Sequence, residues 1–139
     1  MIQDEPLNNP RVIIVQKLYS YFLNEESKIY FPKHRYKKFI KDVVNGTIER
    51  RELIENFIVK ELKDDINENK TALIIKLMIM AALYEFMFMH KVPVKVVINE
   101  YVKVSDFFVE VPQKNFLNAI LDKISKTSRV LDEWIWTSK

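Results

Sequence analysis

Ala72-Leu73-Ile74-Ile75-Lys76-Leu77-Met78-Ile79-Met80-Ala81-Ala82-Leu83-Tyr84-Glu85-Phe86-Met87-Phe88-Met89 is the most apolar stretch of the chain, and its reading decides the fold. Leu73, Leu77, Ala81, Tyr84 and Phe88 recur every three or four residues, which places them on one face of a helix, while Ile74, Met78 and Leu83 cover its other sides. A helix that is apolar all round is either a membrane span or the buried centre of a bundle. The stretch is only marginally long enough for a bilayer and carries Lys76 and Glu85, so it reads as the central helix of an all-α domain.

Helical spacing continues on both sides of this spine. Towards the N-terminus, Val15, Leu18, Tyr19 and Phe22 form a stripe that Pro10 can start, because a first helical turn needs no amide donor. Tyr36, Phe39, Ile40, Val43 and Val44 form a second stripe, after which Asn45-Gly46 is expected to end the helix with a left-handed cap. Ile54, Phe57, Ile58 and Leu62 form a third. The charged run Lys63 to Lys70 has no apolar period and reads as the main linker.

Beyond the spine, Pro93 opens a segment in which Val94, Val97, Ile98, Tyr101, Val104 and Phe108 follow helical spacing. Its β-branched content alone would also fit a strand, and the neighbouring helices tip the reading. Pro112 precedes Phe116, Ile120 and Ile124 on a further helix, and a short last one is expected around Val130 to Trp136, seating Trp134 or Trp136 on the bundle. The expectation is one domain of about seven helices, with a helical subdomain over 10–62, a linker over 63–70 and a second subdomain over 71–136.

Bulk composition agrees. The chain has 139 residues, 48% hydrophobic and 29% charged, enough to bury one core and unlike a disordered chain. A single glycine, Gly46, argues against sandwiches, barrels and glycine-rich phosphate loops, although an AT-rich genome explains scarce glycine equally well. With no cysteine, disulfides and thiolate chemistry are excluded. Met1 to Asn9 carries Asp4 and Glu5 without a basic, then apolar, targeting pattern, so a cytoplasmic protein is expected. His34 and His90 lie far apart and share no metal-ligand spacing, and neither a catalytic residue, a metal site nor a cofactor motif stands out.

Charge is uneven. Residues 11–51 hold ten basic residues against four acidic ones, whereas 52–70 hold three against six. Within the basic half, Lys33-His34-Arg35-Tyr36-Lys37-Lys38 and Lys41 read either as a solvated helix face or as a phosphate-contacting patch. If the ligand is single-stranded RNA, exposed rings beside polar or cationic groups become the candidates: Tyr19 with Arg11 and Gln16 on the first helix, and Phe107 and Phe108 at the end of the fifth, at least one of which must point outward since consecutive helical side chains diverge by about 100°.

Three blocks then carry a resemblance: Ala82-Leu83-Tyr84-Glu85-Phe86, Val92-Pro93-Val94-Lys95-Val96-Val97-Ile98-Asn99-Glu100, and Phe116-Leu117-Asn118-Ala119-Ile120-Leu121-Asp122-Lys123. They resemble, without a gap in spacing, the A-L-Y-E-L, I-P-Y-K-V-V-I-N-E and K-F-V-N-G-V-L-D-K blocks of the NusB family of bacterial transcription antitermination factors. Val15-Gln16-Lys17-Leu18-Tyr19-Ser20 is similar to the family's V-Q-A-L-Y-S.

The resemblance implies an all-helical NusB-like bundle without enzyme activity, which binds boxA-type RNA together with the ribosomal protein NusE and acts on the transcription elongation complex. It implies RNA contacts at Arg11, Gln16, Tyr19 and Phe108, the last matching the ring of the family's S-F-G segment, with Lys114 as a phosphate contact. Departures are plain. The arginine-rich arm is replaced by Leu7-Asn8-Asn9-Pro10 before Arg11, the basic position before A-L-Y-E is Met80, and Val109 to Asn115 replaces the family's Gly-x-x-Asp-Ser-His-Lys. These losses motivate an alternative, a protein-interaction module of the same fold with little RNA affinity. Asn99, Asn118 and Asp122, which match the family's polar positions, are expected to satisfy buried polar groups.

Overall fold

A computed structural model of the chain describes residues 8–66 and 71–137, with side chains through residue 127. Six helices follow one another: α1 (Pro10–Leu23), α2 (Lys37–Glu49), α3 (Arg51–Leu62), α4 (Leu73–Phe88), α5 (Val94–Ser105) and α6 (Val111–Thr137). No strand occurs among the described residues.

Pro10 opens α1 as its sequence position predicts, and the Asn9 side chain caps the helix by accepting from the Arg11 amide at 2.9 Å. The spine, α4, is buried from Leu77 through Met87 and packs against α1, α2, α3, α5 and α6. Its all-round apolarity is therefore satisfied by neighbours on every side, and the buried side chains of both halves of the chain form a single cluster. In α5, Val97, Tyr101 and Val104 are buried at helical intervals, which settles the β-branched segment as helix.

Three local expectations change. Gly46 does not end α2: the helix continues to Glu49, and Gly46 lies inside it with an ordinary negative φ. The ring of Tyr84 on α4 fills the space where a side chain would start, so glycine is required by contact rather than by conformation. The separate last helix is instead the continuation of α6, because no glycine or proline after Pro112 interrupts it. Trp134 and Trp136 have side chains outside the described residues.

Asn99, Asn118 and Asp122 are exposed rather than buried. The inward faces of α5 and α6 belong to Val97, Tyr101 and Val104, and to Leu117, Ile120, Leu121 and Ile124, which leaves these polar positions on the outer faces. The segment following α3 starts in an ordered turn. Asp65 and Ile66 donate their amides to the Leu62 carbonyl, Ile66 is buried, and Asp65 pairs with Lys123 of α6 at 2.6 Å.

Candidate nucleic-acid interface

Helical geometry divides α1 into two faces. Arg11, Val15 and Leu18 point one way, while Gln16, Tyr19 and Ser20 point to solvent. The first face carries the chain's most committed polar cluster. Arg11 donates from Nε to Glu85 Oε2 at 3.0 Å and from Nη2 to Glu85 Oε1 at 2.6 Å, and the Tyr101 hydroxyl donates to Oε2 at 2.6 Å.

Glu85 is fully buried and Arg11 is 7% exposed, its guanidinium 4.9 Å from the Phe39 ring centroid and 5.6 Å from that of Tyr101. Burial pushes the Tyr101 hydroxyl well above its ordinary value, reinforced by the neighbouring carboxylate of Glu85. For Arg11, burial opposes the charge, but the bond to Glu85 prevails and the guanidinium is held above its ordinary value. The cluster ties α1 to α4 and α5.

This corrects the grouping of Arg11 with Tyr19. Arg11 faces the core with the Nε–Nη2 edge of its guanidinium on the Glu85 carboxylate, so it is not presented to a phosphate outside; its place is to fix α1. The opposite face supplies the surface set. Gln16, Tyr19 and Ser20 meet Ile74 of α4 and Phe108 around an open cleft of about 440 Å³.

Phe108 arrives there through the turn after α5. The amides of Phe107 and Phe108 donate to the Val104 and Ser105 carbonyls, both at 3.0 Å, which turns the Phe107 ring outward to 38% exposure and leaves Phe108 half-buried along the cleft. Gln16, Tyr19 and Phe108 are thus brought together from opposite ends of the sequence. Lys114 is not on the cleft lining; its Nζ pairs with Asp106 Oδ1 at 2.8 Å, linking the first turn of α6 to the turn that carries Phe107 and Phe108.

The sequence reading misses Glu85 and Tyr101. Their signal lies in the spine itself, where a lone acid in an apolar helix must meet a cation or donor, and Arg11, followed directly by Val12, Ile13, Ile14 and Val15, is the matching cation in an apolar setting. It also misses the contact of the Tyr84 hydroxyl with Asp42 at 3.0 Å; burial, with help from Asp42, pushes that phenol up to about 12.

The described residues contain no group of histidines and carboxylates able to hold a metal, and no described helix is long and apolar enough to cross a membrane. The class so defined is a small all-helical domain that presents an aromatic-lined cleft. The chain belongs to the NusB family, whose model matches residues 8–126.

Among its relatives, a protein of Caulobacter vibrioides named transcription antitermination protein NusB is 32% identical over 91 residues, covering 66% of this chain and 61% of that protein. A protein of the same name from Thermodesulfovibrio yellowstonii is 29% identical over 118 residues, covering 80% of this chain and 78% of the relative. The match thus spans about three fifths of the Caulobacter relative. A solved structure of T. maritima NusB shares the fold with a TM-score of 0.74 at 20% identity, over 88% of this chain and 92% of that one.

Proposed function

We propose that this chain is a transcription antitermination factor that binds boxA-type RNA together with the ribosomal protein NusE and promotes full-length ribosomal RNA transcription through the elongation complex in the bacterial cytoplasm. The observation that carries the reading is the convergence of Gln16, Tyr19 and Phe108 on one solvent-open cleft. Tyr19 offers a ring face on which an unstacked base can lie, Gln16 offers both a donor and an acceptor for a base edge, and Phe108 closes the apolar side. Relatives that carry the antitermination name support the biological setting.

The role is recruitment, without a chemical step. Lys114 serves the RNA only by exchanging Asp106 for a phosphate, and the cleft lining contains no cation of its own. That electrostatic deficit favours weak binding by the chain alone and tight binding in the joint complex. It is also the observation in favour of the second reading, a protein-interaction module of the NusB fold with little RNA affinity.

Fluorescence-anisotropy titration of labelled boxA RNA, with and without NusE, tests both. The expected result is weak, salt-sensitive binding that NusE tightens, with Tyr19→Ala and Phe108→Ala each costing about 1–3 kcal/mol, the range for loss of a stacked base. No RNA binding at low salt, with or without NusE, overturns the proposal; NusE binding that persists without any RNA enhancement establishes the second reading.

A further inference from the structure

We propose that a second cleft, where α2 faces α4, binds the phosphate backbone of single-stranded RNA; this rests on the RNA-binding reading above but uses residues separate from the Tyr19 cleft. The cleft encloses about 740 Å³ and is walled by Lys37, Lys38, Lys41 and Arg50, with Asp42 and Tyr84 among its other lining residues. The two cleft linings share no residue.

Its three lysines are uncommitted, whereas Arg50 is engaged, its guanidinium 4.4 Å from the Phe88 ring centroid. Asp42 accepts from the Tyr84 hydroxyl at 3.0 Å, and Glu49 lies 3.7 Å from Arg50. Lys37, Lys38 and Lys41 make no ion pair among the described residues, and the Lys41 ammonium lies 5.8 Å from the Phe31 ring centroid. By contrast, Lys114, Lys123, Lys126 and Arg51 each hold a carboxylate.

The placement of these lysines is also costly to the helix. Lys37 and Lys38 occupy the first turn of α2, where the helix dipole favours anions, and Lys41, one turn further on, is a like-charged neighbour of both at helical spacing. No acid occupies the first turn and no side chain caps the helix. Two cations at a positive helix end and a third one turn on, without a carboxylate partner, form an arrangement that an arriving anion relieves.

The residues leading into α2 distinguish nucleic acid from an acidic peptide. Tyr36, directly before Lys37, is 46% exposed, with the Arg35 guanidinium 5.4 Å from its ring centroid and the His34 ring 5.9 Å away. Tyr30, just upstream, is 72% exposed. Exposed rings interspersed with cations suit bases stacking while phosphates meet lysines, whereas the lysines alone would serve an acidic peptide.

The experiment is anisotropy titration of a fluorescein-labelled single-stranded RNA against the full chain across a range of salt concentrations. It compares the parent, the triple variant Lys37→Gln, Lys38→Gln, Lys41→Gln, and Tyr19→Ala; all three changes in the triple variant are at exposed positions, and circular dichroism verifies its fold. Loss of three phosphate contacts lowers the log–log salt slope by about 2 and weakens binding about 100-fold at ~0.1 M salt, with the loss vanishing towards ~1 M.

RNA binding that Tyr19→Ala weakens but the triple variant leaves unchanged in affinity and slope overturns this inference and leaves the function above standing. Weakening by the triple variant alone supports the α2 cleft and overturns the Tyr19 cleft. Absence of RNA binding by the parent overturns both. A labelled polyglutamate peptide that binds more tightly than RNA, in a manner lost in the triple variant, overturns the RNA assignment in favour of an acidic protein partner.

Discussion

A carboxylate shut away from water, as Glu85 is, is costly to bury unless its hydrogen-bonding capacity is met, and Arg11 and Tyr101 meet it from two other helices. Removing one member leaves the other charge stranded. Glu85→Ala is expected to cost about 3–5 kcal/mol in urea unfolding, the range for breaking a buried pair. Replacing the cluster with Arg11→Met, Glu85→Leu and Tyr101→Phe together is expected to recover most of that loss; a cost below about 1 kcal/mol for Glu85→Ala alone would contradict the arrangement. This cluster also marks where the sequence is least legible at residue scale. Residue type places Arg11 with the surface cations, and the apolar run Val12 to Val15 beside it is the one local sign that its face of α1 turns inward. Gln16, Tyr19 and Phe108 are more legible. Two share a helical face at a spacing of three, and family resemblance brings in the third, although nothing in the local sequence says that the turn after α5 reaches α1.

At the scale of elements, periodicity identifies the helices and turn residues mislead at their ends. Gly46 after Asn45 reads as a stop signal, yet α2 runs through it because Tyr84 needs the room. In isolation, Gly46→Ala would stabilise a helix by about 1 kcal/mol. Here the new Cβ overlaps Tyr84 Cε1 and Cζ, and the ring cannot swing away freely because it is buried, with its hydroxyl on Asp42. Gly46→Ala is therefore expected to destabilise the protein by about 1–3 kcal/mol, the range for overpacking. The sign should reverse when Tyr84→Ala removes the ring, and a double-mutant cycle by thermal unfolding reads the coupling. Additive changes would place the glycine's role elsewhere. The same logic explains the end of the chain. A separate short helix is expected around Val130 to Trp136, but neither proline nor glycine interrupts the chain after Pro112, and α6 continues.

For the whole molecule, the decisive question is whether the two halves on either side of the charged run are separable. The spine answers through its contacts: α4 belongs to the second half in sequence, yet it packs against α1, α2 and α3 of the first. Without it, Val12, Ile14, Leu18, Val43, Val44 and Ile54, all buried in the full chain, lose the helix that completes their core. The Glu85 carboxylate that neutralises Arg11 would go with it. A fragment ending at Ile66 is below the size at which a single small core reliably outweighs chain entropy, and it is expected to give the circular dichroism of a largely unfolded chain. The full chain should unfold in one transition, coincident by far-ultraviolet dichroism and tyrosine fluorescence. Mixing the 1–66 fragment with a 67–139 fragment should restore helicity, since the missing contacts lie between the pieces rather than within either. A 1–66 fragment that folds cooperatively alone would show instead that α1 to α3 form an autonomous unit, and the α2 cleft, which needs Tyr84 from the other half, would then be a surface formed only on docking.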